Sequence, residues 1–463
     1  MGAPSSRRSL RPLSPFLAWP PCFAAPPFAL QWMVHGLEVS QGDPAATLAS
    51  GQQVQLQLLL EWAVNNVPYY GKLPEYRAAL TIIRRRPDEF AAQWGALPIL
   101  GRAALRSQGR SLAATGLPTG HGPVLPCGSS GSTGMSVEVG TTSITRQIWG
   151  ALTIREHLWR RRAFAKRLGI VNSREVKDRV AGGQEFPSWG PPTAELYATG
   201  PASVIHAGFA VDDLAAWLRR FDPHYLQVFP SLAGSLLDVL NGDRPRSLEE
   251  IRLFNEPVDL GLELRLASQW QVRCAELYSA SEVGYIAFRC AEGSLHVQAE
   301  SVLVEIVDEA GRPCGVGETG RVVVTPLHNL ATPLIRYDIG DYATVGVPCA
   351  CGRAHPVLDR VRGRVRNMAR TPDGRRFWPT YLVDNLRVVS PIRQAQFIQP
   401  ALDRIELRVV LDRPFTDGER RAAITIVQQT LGHPFDVDIV VVDQIERGPT
   451  LKFEEFLSLL PDQ

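Results

Sequence analysis

Hydrophobic residues recur along the chain with two periods, and the change from one to the other predicts where helices and strands lie. Leucine, tryptophan and alanine return every three or four positions between residues 52 and 63, which is the period of a helix with one buried face. The same spacing predicts a long amphipathic helix over residues 145–168. Between residues 211 and 241, a short apolar run at 226–229 separates two helical patterns. This alternation predicts an α/β architecture in which helices cover the strands.

The pattern changes after residue 284, where glycine and proline interrupt short apolar segments. Residues 303–307 and 320–324 are two such segments, and their composition and spacing are typical of β-strands. From residue 364 a β-β-α-β pattern occupies about 100 residues, a size typical of an independent domain. We therefore predict the α/β class. A large N-terminal domain would have parallel or mixed sheets, helices and a β-rich part, and a small C-terminal α+β domain would follow.

The first 40 residues are predicted to be a disordered leader. Four prolines break the apolar stretch at residues 16–32, whereas a signal peptide or a membrane span needs an uninterrupted apolar segment. Export is the alternative interpretation. The expected divisions are thus a leader at 1–40, a large domain at 41–363 and a small C-terminal domain at 364–463.

Composition narrows the class of protein further. The chain has 463 residues, of which 45% are hydrophobic and 21% charged, ordinary values for a globular protein of two or three domains. A formal net charge of +2 gives no argument for binding to nucleic acid or to a membrane. Seven cysteines, an odd number in a large chain without a clear secretion signal, argue against a disulfide framework. A reducing, cytoplasmic location is expected.

A run of small and hydroxyl-bearing residues follows Cys127. Backbone amides and hydroxyls in such a run can surround a polyphosphate without steric obstruction. No lysine follows the last glycine, so the run is not a Walker A motif, and a flexible linker is the alternative. The candidate phosphate ligands are Ser129, Ser130, Gly131, Ser132, Thr133 and Gly134.

Two further segments and one lysine complete the set of candidates. Residues 278–282, Y-S-A-S-E, end in Glu282, whose carboxylate is suited to a divalent cation beside a phosphate. A strand-to-turn segment with a solvated glutamate is the alternative. Residues 336–341 read R-Y-D-I-G-D, and Lys452 lies near the end of the chain.

In this order and spacing the segments resemble the adenylate-forming enzymes, most closely the phenylacetate–coenzyme A ligase branch. The resemblance covers residues 52–456, and the P-L-I-R-Y-D-I-G-D segment ending at Asp341 is its most specific part. It implies that the ring of Tyr278 packs on adenine, that the Ser281 hydroxyl contacts the α-phosphate and that Glu282 holds Mg²⁺.

The resemblance also implies roles for three charged residues. Asp341 would accept hydrogen bonds from both ribose hydroxyls, and Arg364 would bind the ribose or the phosphates. Lys452 would be the catalytic lysine, bridging the substrate carboxylate and the α-phosphate. Four positions depart from the branch. Met135 stands where a loop lysine is usual, Ser279 and Ser281 stand where glycine and threonine are usual, and Arg366 stands where the hinge usually has an aspartate.

A second group of residues, three cysteines and one histidine, could bind a metal ion. Three thiolates and an imidazole form a typical tetrahedral Zn²⁺ set, and the resemblance implies structural zinc, since many members of the branch have a similar set. Cysteines without a metal are the alternative. The candidate ligands are Cys290, His296, Cys349 and Cys351.

The function implied by the resemblance is that of an acid–thiol ligase. ATP and Mg²⁺ would activate a carboxylic acid, expected to be aromatic and phenylacetate-like, to an acyl adenylate. Coenzyme A would then take the acyl group as a thioester. No nucleic-acid or membrane partner is expected, and a homodimer fits the branch. Two alternatives stay open: transfer of the acyl group to an amine or a carrier protein in a biosynthetic pathway, and a catalytically inactive nucleotide-binding homologue.

Overall fold

One twelve-stranded sheet contains most of the strands in the computed structural model. The structure describes residues 29–128, 137–173, 180–380, 382–389, 391–448 and 451–461. The helices are α1 (Ala29–Ser40), α2 (Ala45–Asn66), α3 (Pro68–Lys72), α4 (Pro74–Arg85), α5 (Phe90–Gly95), α6 (Arg102–Ser107), α7 (Ser143–Trp159), α8 (Thr193–Leu196), α9 (Val211–Phe221), α10 (Pro230–Leu240), α11 (Leu260–Arg265), α12 (Leu382–Leu386) and α13 (Asp417–Leu431).

Within these ranges the strands fall into four sheets. They are β1 (Leu125–Gly128) and β2 (Glu138–Thr141); β3 (Leu168–Asn172), β4 (Gln184–Phe186), β5 (Ala202–His206), β6 (Tyr225–Val228), β7 (Glu250–Phe254), β8 (Arg273–Ala280), β9 (Gly284–Arg289), β10 (Leu295–Val297), β11 (Val302–Val307), β12 (Thr319–Pro326), β13 (Tyr337–Val345) and β14 (Val357–Arg364); β15 (Ala369–Arg370) and β16 (Arg376–Phe377); and β17 (Ile392–Ala401), β18 (Arg404–Leu411), β19 (Asp436–Val441) and β20 (Phe456–Ser458).

The large sheet has a parallel half and an antiparallel half. Its strand order is β11-β12-β13-β14-β10-β9-β8-β7-β6-β3-β5-β4. Strands β5, β3, β6, β7 and β8 run parallel, whereas the pairs from β8 to β11 are antiparallel. The predicted α/β class is confirmed, and the β-rich part is the continuation of the same sheet.

Helices α9 and α10 cover the parallel half with an apolar layer. Trp217, Leu236 and Ile251 are fully buried in this layer, which contains residues from both helices and from β6 and β7. Because strands buried on both faces are continuously apolar, the short runs of this region give a strong strand signal. The layer holds the carboxyl ends of β6, β7 and β8 side by side.

A buried ion network ends α7 and ties it to β7. The guanidinium groups of Arg160 and Arg162 donate to the two oxygens of Glu250 over 2.8 and 2.7 Å. Glu156 pairs with Arg162 and, over 2.9 Å, with Arg252. Although burial alone would raise the pKa of Glu156, the neighbouring arginines hold it well below its usual range. The predicted helix over 145–168 is therefore too long, because the chain leaves the helix at Trp159 to form these pairs.

The C-terminal unit, residues 369–461, builds its own four-stranded sheet. Strands β17 and β18 form an antiparallel hairpin, β19 runs parallel to β18 and β20 runs parallel to β17. Helix α13 begins with a capping box in which Thr416 and Glu419 bond to each other's backbone amides. The predicted α+β module is confirmed. Within the described ranges, no helix is both long and apolar enough to cross a bilayer.

Helix α1 corrects part of the predicted leader. Residues 29–40 were expected to be disordered, but they form a helix whose Met33 and Leu37 are 2% exposed and pack against α7. The Arg155 guanidinium donates to the Leu37 carbonyl oxygen over 3.0 Å. The apolar period of this segment, hidden by the prolines before it, is that of a helix with one buried face. Residues 1–28 lie outside the described ranges.

We expect Leu37→Ala to lower the free energy of unfolding by about 2–5 kcal/mol, because it removes a buried side chain and leaves a cavity. Val39 is on the same helix and 58% exposed, so Val39→Ala is the matched control and should cost under about 0.5 kcal/mol. Chemical denaturation of both variants gives the comparison. Equal, small losses would show that α1 does not contribute to the core.

Candidate active site

The carboxyl ends of β6, β7 and β8 lie at one edge of the large sheet, and the C-terminal unit covers that edge. Ligands of open α/β sheets bind outside the carboxyl ends of parallel strands. A cavity of about 370 Å³ lies here between the two parts of the chain. Six of the predicted site residues line it: Tyr278, Ser281, Glu282, Asp341, Arg364 and Lys452.

Asp341 joins the end of β8 to the end of β14. The Tyr278 hydroxyl donates to Asp341 Oδ2 over 3.0 Å, and Arg364 Nε donates to Oδ1 over 3.1 Å. Burial and the negative charge of Asp341 together raise the pKa of Tyr278 well above its ordinary value. The carboxylate is thus fixed through both oxygens, and its charge is paired.

Glu282 lies in the turn between β8 and β9, where it is 3% exposed. The Tyr337 hydroxyl donates to its Oε1 atom over 3.1 Å. Burial and then the charge of Glu282 raise the pKa of Tyr337, so the phenol keeps its proton and donates at neutral pH. The sequence analysis missed this role of Tyr337, although the residue belongs to the R-Y-D-I-G-D segment that it singled out.

Lys452 enters the cavity from the C-terminal unit. Burial, and then the positive charge of Arg364, lower the pKa of its ammonium group, while Asp341, Glu256 and Glu282 act in the opposite direction. The structure therefore brings the predicted catalytic lysine to the same cavity as the predicted ribose and magnesium ligands.

The segment that joins the two parts of the chain contacts the strand beside Lys452. Arg366 forms an ion pair with Glu454, and Asn367 Nδ2 donates to the Phe456 carbonyl oxygen over 2.9 Å. The arginine at the position where an aspartate was expected is therefore paired with an acidic residue two positions after Lys452. Sequence reasoning gave no role to Glu454.

The predicted phosphate loop, Ser129, Ser130, Gly131, Ser132, Thr133 and Gly134, lies outside the described residues. Its two flanks are described. Strands β1 and β2 pair there, with Gly128 opposite Glu138. The Cys127 thiol lies 3.0 Å from the Ser281 carbonyl oxygen. Strand β1, which precedes these residues in the chain, therefore lies beside the segment that carries Glu282.

The four predicted zinc ligands converge at the other end of β9. The ligand atoms of Cys290, His296, Cys349 and Cys351 lie within 4.8 Å of one another. The Cys290 and Cys349 sulfurs are 3.7 Å apart, and Cys351 Sγ is 3.3 Å from His296 Nε2. Tetrahedral zinc, with bonds of about 2.3 Å to sulfur and about 2.0 Å to nitrogen, separates its ligands by similar distances. Burial lowers the pKa of His296 to about 4, so the imidazole is in the neutral form that binds metals.

Comparison with known proteins agrees with this architecture. Residues 370–456 match the family described as CapK C-terminal domain. Over 233 residues the chain is 28% identical to a phenylacetate-coenzyme A ligase of Thermus thermophilus, a match that covers 47% of this chain and 52% of that protein. The matched segment thus spans about half the length of that relative.

Two solved structures of 2-hydroxyisobutyryl-CoA ligase show the same fold. The ligase in its postadenylation state with an acyl-AMP has a TM-score of 0.71 at 19% identity and covers 96% of both chains. In its thioesterification state with an acyl-AMP and CoA the TM-score is 0.58 at 19% identity, over 91% of both chains. The chain has the fold of the adenylate-forming CoA ligases, and the predicted resemblance to the phenylacetate–CoA ligase branch is confirmed.

Glu455 lies in the contact region, here called the seam, between the large sheet and the C-terminal unit. Its protonation makes the stability of the protein depend on pH. The Glu455 Oε1 atom accepts from the Val383 amide over 3.2 Å. Burial, together with the nearby carboxylates of Asp259 and Asp384, raises its pKa to about 7. A carboxyl with a raised folded-state pKa keeps a proton that the unfolded chain releases, so stability falls as pH rises from about 4.5 to about 7. Each unit of pKa shift corresponds to about 1.4 kcal/mol.

We expect Glu455→Gln to raise the melting temperature relative to the parent protein at pH 8 and to leave it unchanged at pH 4. Thermal denaturation across this range measures the effect, and Glu446→Gln, at an exposed position, is the control. A difference between Glu455→Gln and the parent that does not vary with pH would contradict the prediction.

Proposed function

We propose that the chain is an acid–thiol ligase that activates a carboxylic acid with ATP and transfers the acyl group to coenzyme A. The observation that supports this most directly is the position of Lys452 in one cavity with Tyr278, Glu282, Asp341 and Arg364. These residues are far apart in the sequence and come from both parts of the chain. Lys452 is partly buried there, and the charges of Arg364, Asp341, Glu256 and Glu282 all act on its ammonium group.

In the first half-reaction, a carboxylate oxygen of the substrate attacks the α-phosphorus of ATP, and the bond to pyrophosphate breaks. Asp341 binds the ribose hydroxyls, and Tyr278 packs against adenine. The Lys452 ammonium lies between the carboxylate and the α-phosphate and stabilises the negative charge of the transition state. Glu282, a buried carboxylate, is the residue that would hold Mg²⁺, whose charge would neutralise phosphate oxygens.

In the second half-reaction the C-terminal unit rotates about residues 364–367 and withdraws Lys452. The thiol of coenzyme A then attacks the acyl carbon, and AMP leaves. Such a rotation is a hinge movement that a few residues between two rigid parts can absorb. The TM-score is 0.71 with the postadenylation state and 0.58 with the thioesterification state. This difference supports the view that the structure has the conformation that precedes the rotation.

The substrate we propose is an aromatic carboxylic acid. Its support is the sequence similarity to a protein named phenylacetate-coenzyme A ligase, at 28% identity. Coenzyme A is the proposed acceptor because that relative and the ligase of the same fold both carry it in their names.

We also propose that Cys290, His296, Cys349 and Cys351 hold a structural Zn²⁺. The ligand set and the separations of its atoms fit tetrahedral coordination. The site joins the turn between β9 and β10 to the loop between β13 and β14, and all four ligands come from protein. A closed set of four ligands is typical of structural rather than catalytic zinc.

We expect Lys452→Ala to reduce ATP–pyrophosphate exchange by about 10²- to 10³-fold, because it removes a charge that acts on the transition state. The assay uses a panel of arylacetic, benzoic, fatty and short hydroxy acids, and Lys72→Ala, on an exposed helix end, is the control. Exchange with arylacetic acids that collapses only in Lys452→Ala supports the proposal.

Other outcomes of that panel are informative. Exchange without thioester formation from coenzyme A would give the acyl group a different acceptor. Binding of ATP without exchange for any acid would overturn the ligase proposal in favour of an inactive nucleotide-binding protein.

We expect about one zinc per chain in the purified protein, and loss of most of it in Cys351→Ser. Elemental analysis measures the metal. A chelator should lower the melting temperature of the parent protein and of the control, and should not lower that of Cys351→Ser, since metal binding stabilises the folded state. Cys314→Ser, outside the cluster, is the matched control. A parent protein without zinc after expression in zinc-supplemented medium would contradict the assignment.

A further inference from the structure

A buried glutamate lies where the loop that carries Lys452 meets the large sheet. Glu256 follows β7 at the carboxyl edge of the parallel strands, and its side chain is 4% exposed. It lines the cavity of the active site, yet none of the steps derived above uses it. A buried carboxylate is costly unless hydrogen bonds or opposite charges compensate it, so its partners indicate what it does.

Both oxygens of Glu256 accept backbone hydrogen bonds, one from each part of the chain. Oε1 accepts from the Phe453 amide over 2.7 Å, and Oε2 accepts from the Ser231 amide over 2.9 Å. Ser231 lies in the first turn of α10, where amide groups have no partner within the helix and attract negative charge. Phe453 directly follows Lys452. One carboxylate therefore connects a fixed helix end to the residue beside the catalytic lysine.

Arg447 closes the same group of contacts from the C-terminal unit. Its Nη1 atom donates to the Ser231 hydroxyl over 2.7 Å and to the Leu451 carbonyl oxygen over 3.2 Å. The same atom lies 3.6 Å from Glu256 Oε1. We call Glu256, Ser231, Arg447 and Phe453 the Glu256 clasp. Its contacts lie on both sides of Lys452, at Leu451 and at Phe453.

We propose that Glu256 is a positioning residue for Lys452: the clasp holds the lysine in the cavity for adenylation and must open before thioester formation. This inference rests on the proposed function, because only a two-step ligase needs the lysine in one step and not in the other. The carboxylate is the required group, since it accepts at both oxygens. An amide in its place would present an N–H group to one of the two amide donors and would carry no charge for Arg447.

A second contact across the same seam supplies a matched control. Arg387 of the C-terminal unit donates to both oxygens of Asp238 on α10 over 2.7 and 2.9 Å. Among the described residues, the Asp238 carboxylate pairs with Arg265 and Arg387, so Asp238→Asn weakens the seam without touching the clasp. If Glu256 acted only by joining the two parts of the chain, both variants would behave alike.

The test measures the two half-reactions separately in Glu256→Gln, Asp238→Asn and the parent protein. ATP–pyrophosphate exchange reports adenylation, and thioester formation from a synthetic aryl-acyl adenylate and coenzyme A reports the second step. We expect Glu256→Gln to lower the exchange rate by about 10- to 100-fold and to leave the second step within about 3-fold, whereas Asp238→Asn changes both by similar, small factors.

A measurement independent of activity accompanies the kinetics. Without substrates, the rate of acylation of Lys452 by a soluble activated ester, followed by mass spectrometry, should rise in Glu256→Gln and not in Asp238→Asn. Hydrogen exchange at the Phe453 amide should accelerate in the same variant, because that N–H loses its acceptor. These readouts stand even when the parent protein activates none of the acids tested, a result that would count against the proposed function alone.

The inference is overturned by any of three results. These are that Glu256→Gln slows both half-reactions by the same factor, that it leaves the acylation rate of Lys452 unchanged while remaining folded, or that Asp238→Asn gives the same separation of the two steps. If Glu256→Gln does not fold, Arg447→Gln tests the same clasp from the other side, with the same expected separation.

Discussion

The Asp341 carboxylate is the group on which the arrangement of the cleft depends. Its two oxygens accept hydrogen bonds from Tyr278 on β8 and from Arg364 at the end of β14. Tyr278, which is proposed to contact adenine, and Arg364, which starts the segment leading into the C-terminal unit, therefore bind the same carboxylate. Asp341 and Arg364 are partly buried, and removing one of them leaves the charge of the other without its partner. The proposed nucleotide site and the proposed pivot of the C-terminal unit consequently share this carboxylate.

Local signals allowed most of the C-terminal unit to be predicted from the sequence. The β-β-α-β pattern predicted after residue 364 corresponds to β17, β18, α13 and β19 of the structure, and Thr416 and Glu419 mark the start of α13 within four residues. In contrast, α1 was missed because the prolines before it concealed its apolar period. The joining of parallel and antiparallel strands into one sheet could not be predicted, since it depends on pairing between distant segments.

The same distinction applies to the cleft. Residues in contiguous motifs, such as Glu282 and Asp341, could be proposed from the sequence, and the structure places them at one cavity. The residues that hold the segments around Lys452 and Arg366 in place could not be proposed. Glu256 is an ordinary glutamate after a strand, and Glu454 gains its meaning only from Arg366, which is distant in the sequence. An arginine that departed from the expected pattern is thus part of an ion pair rather than an unpaired charge.

The position of β10 in the large sheet has a consequence for how fast the chain folds. Strand β10 pairs with β14, and their partners Leu295 and Leu358 are roughly 60 residues apart in the chain. Pairing of β10 with β14 therefore closes a loop that contains β11, β12 and β13. Closing a loop of this length costs conformational entropy before the strands make stabilising contacts. This cost slows folding more than it lowers the stability of the folded state. Cys290 and His296 lie at one end of this loop, and Cys349 and Cys351 lie near the other. A metal ion bound by all four, as proposed, would hold the two ends together and so favour the register of β10 with β14.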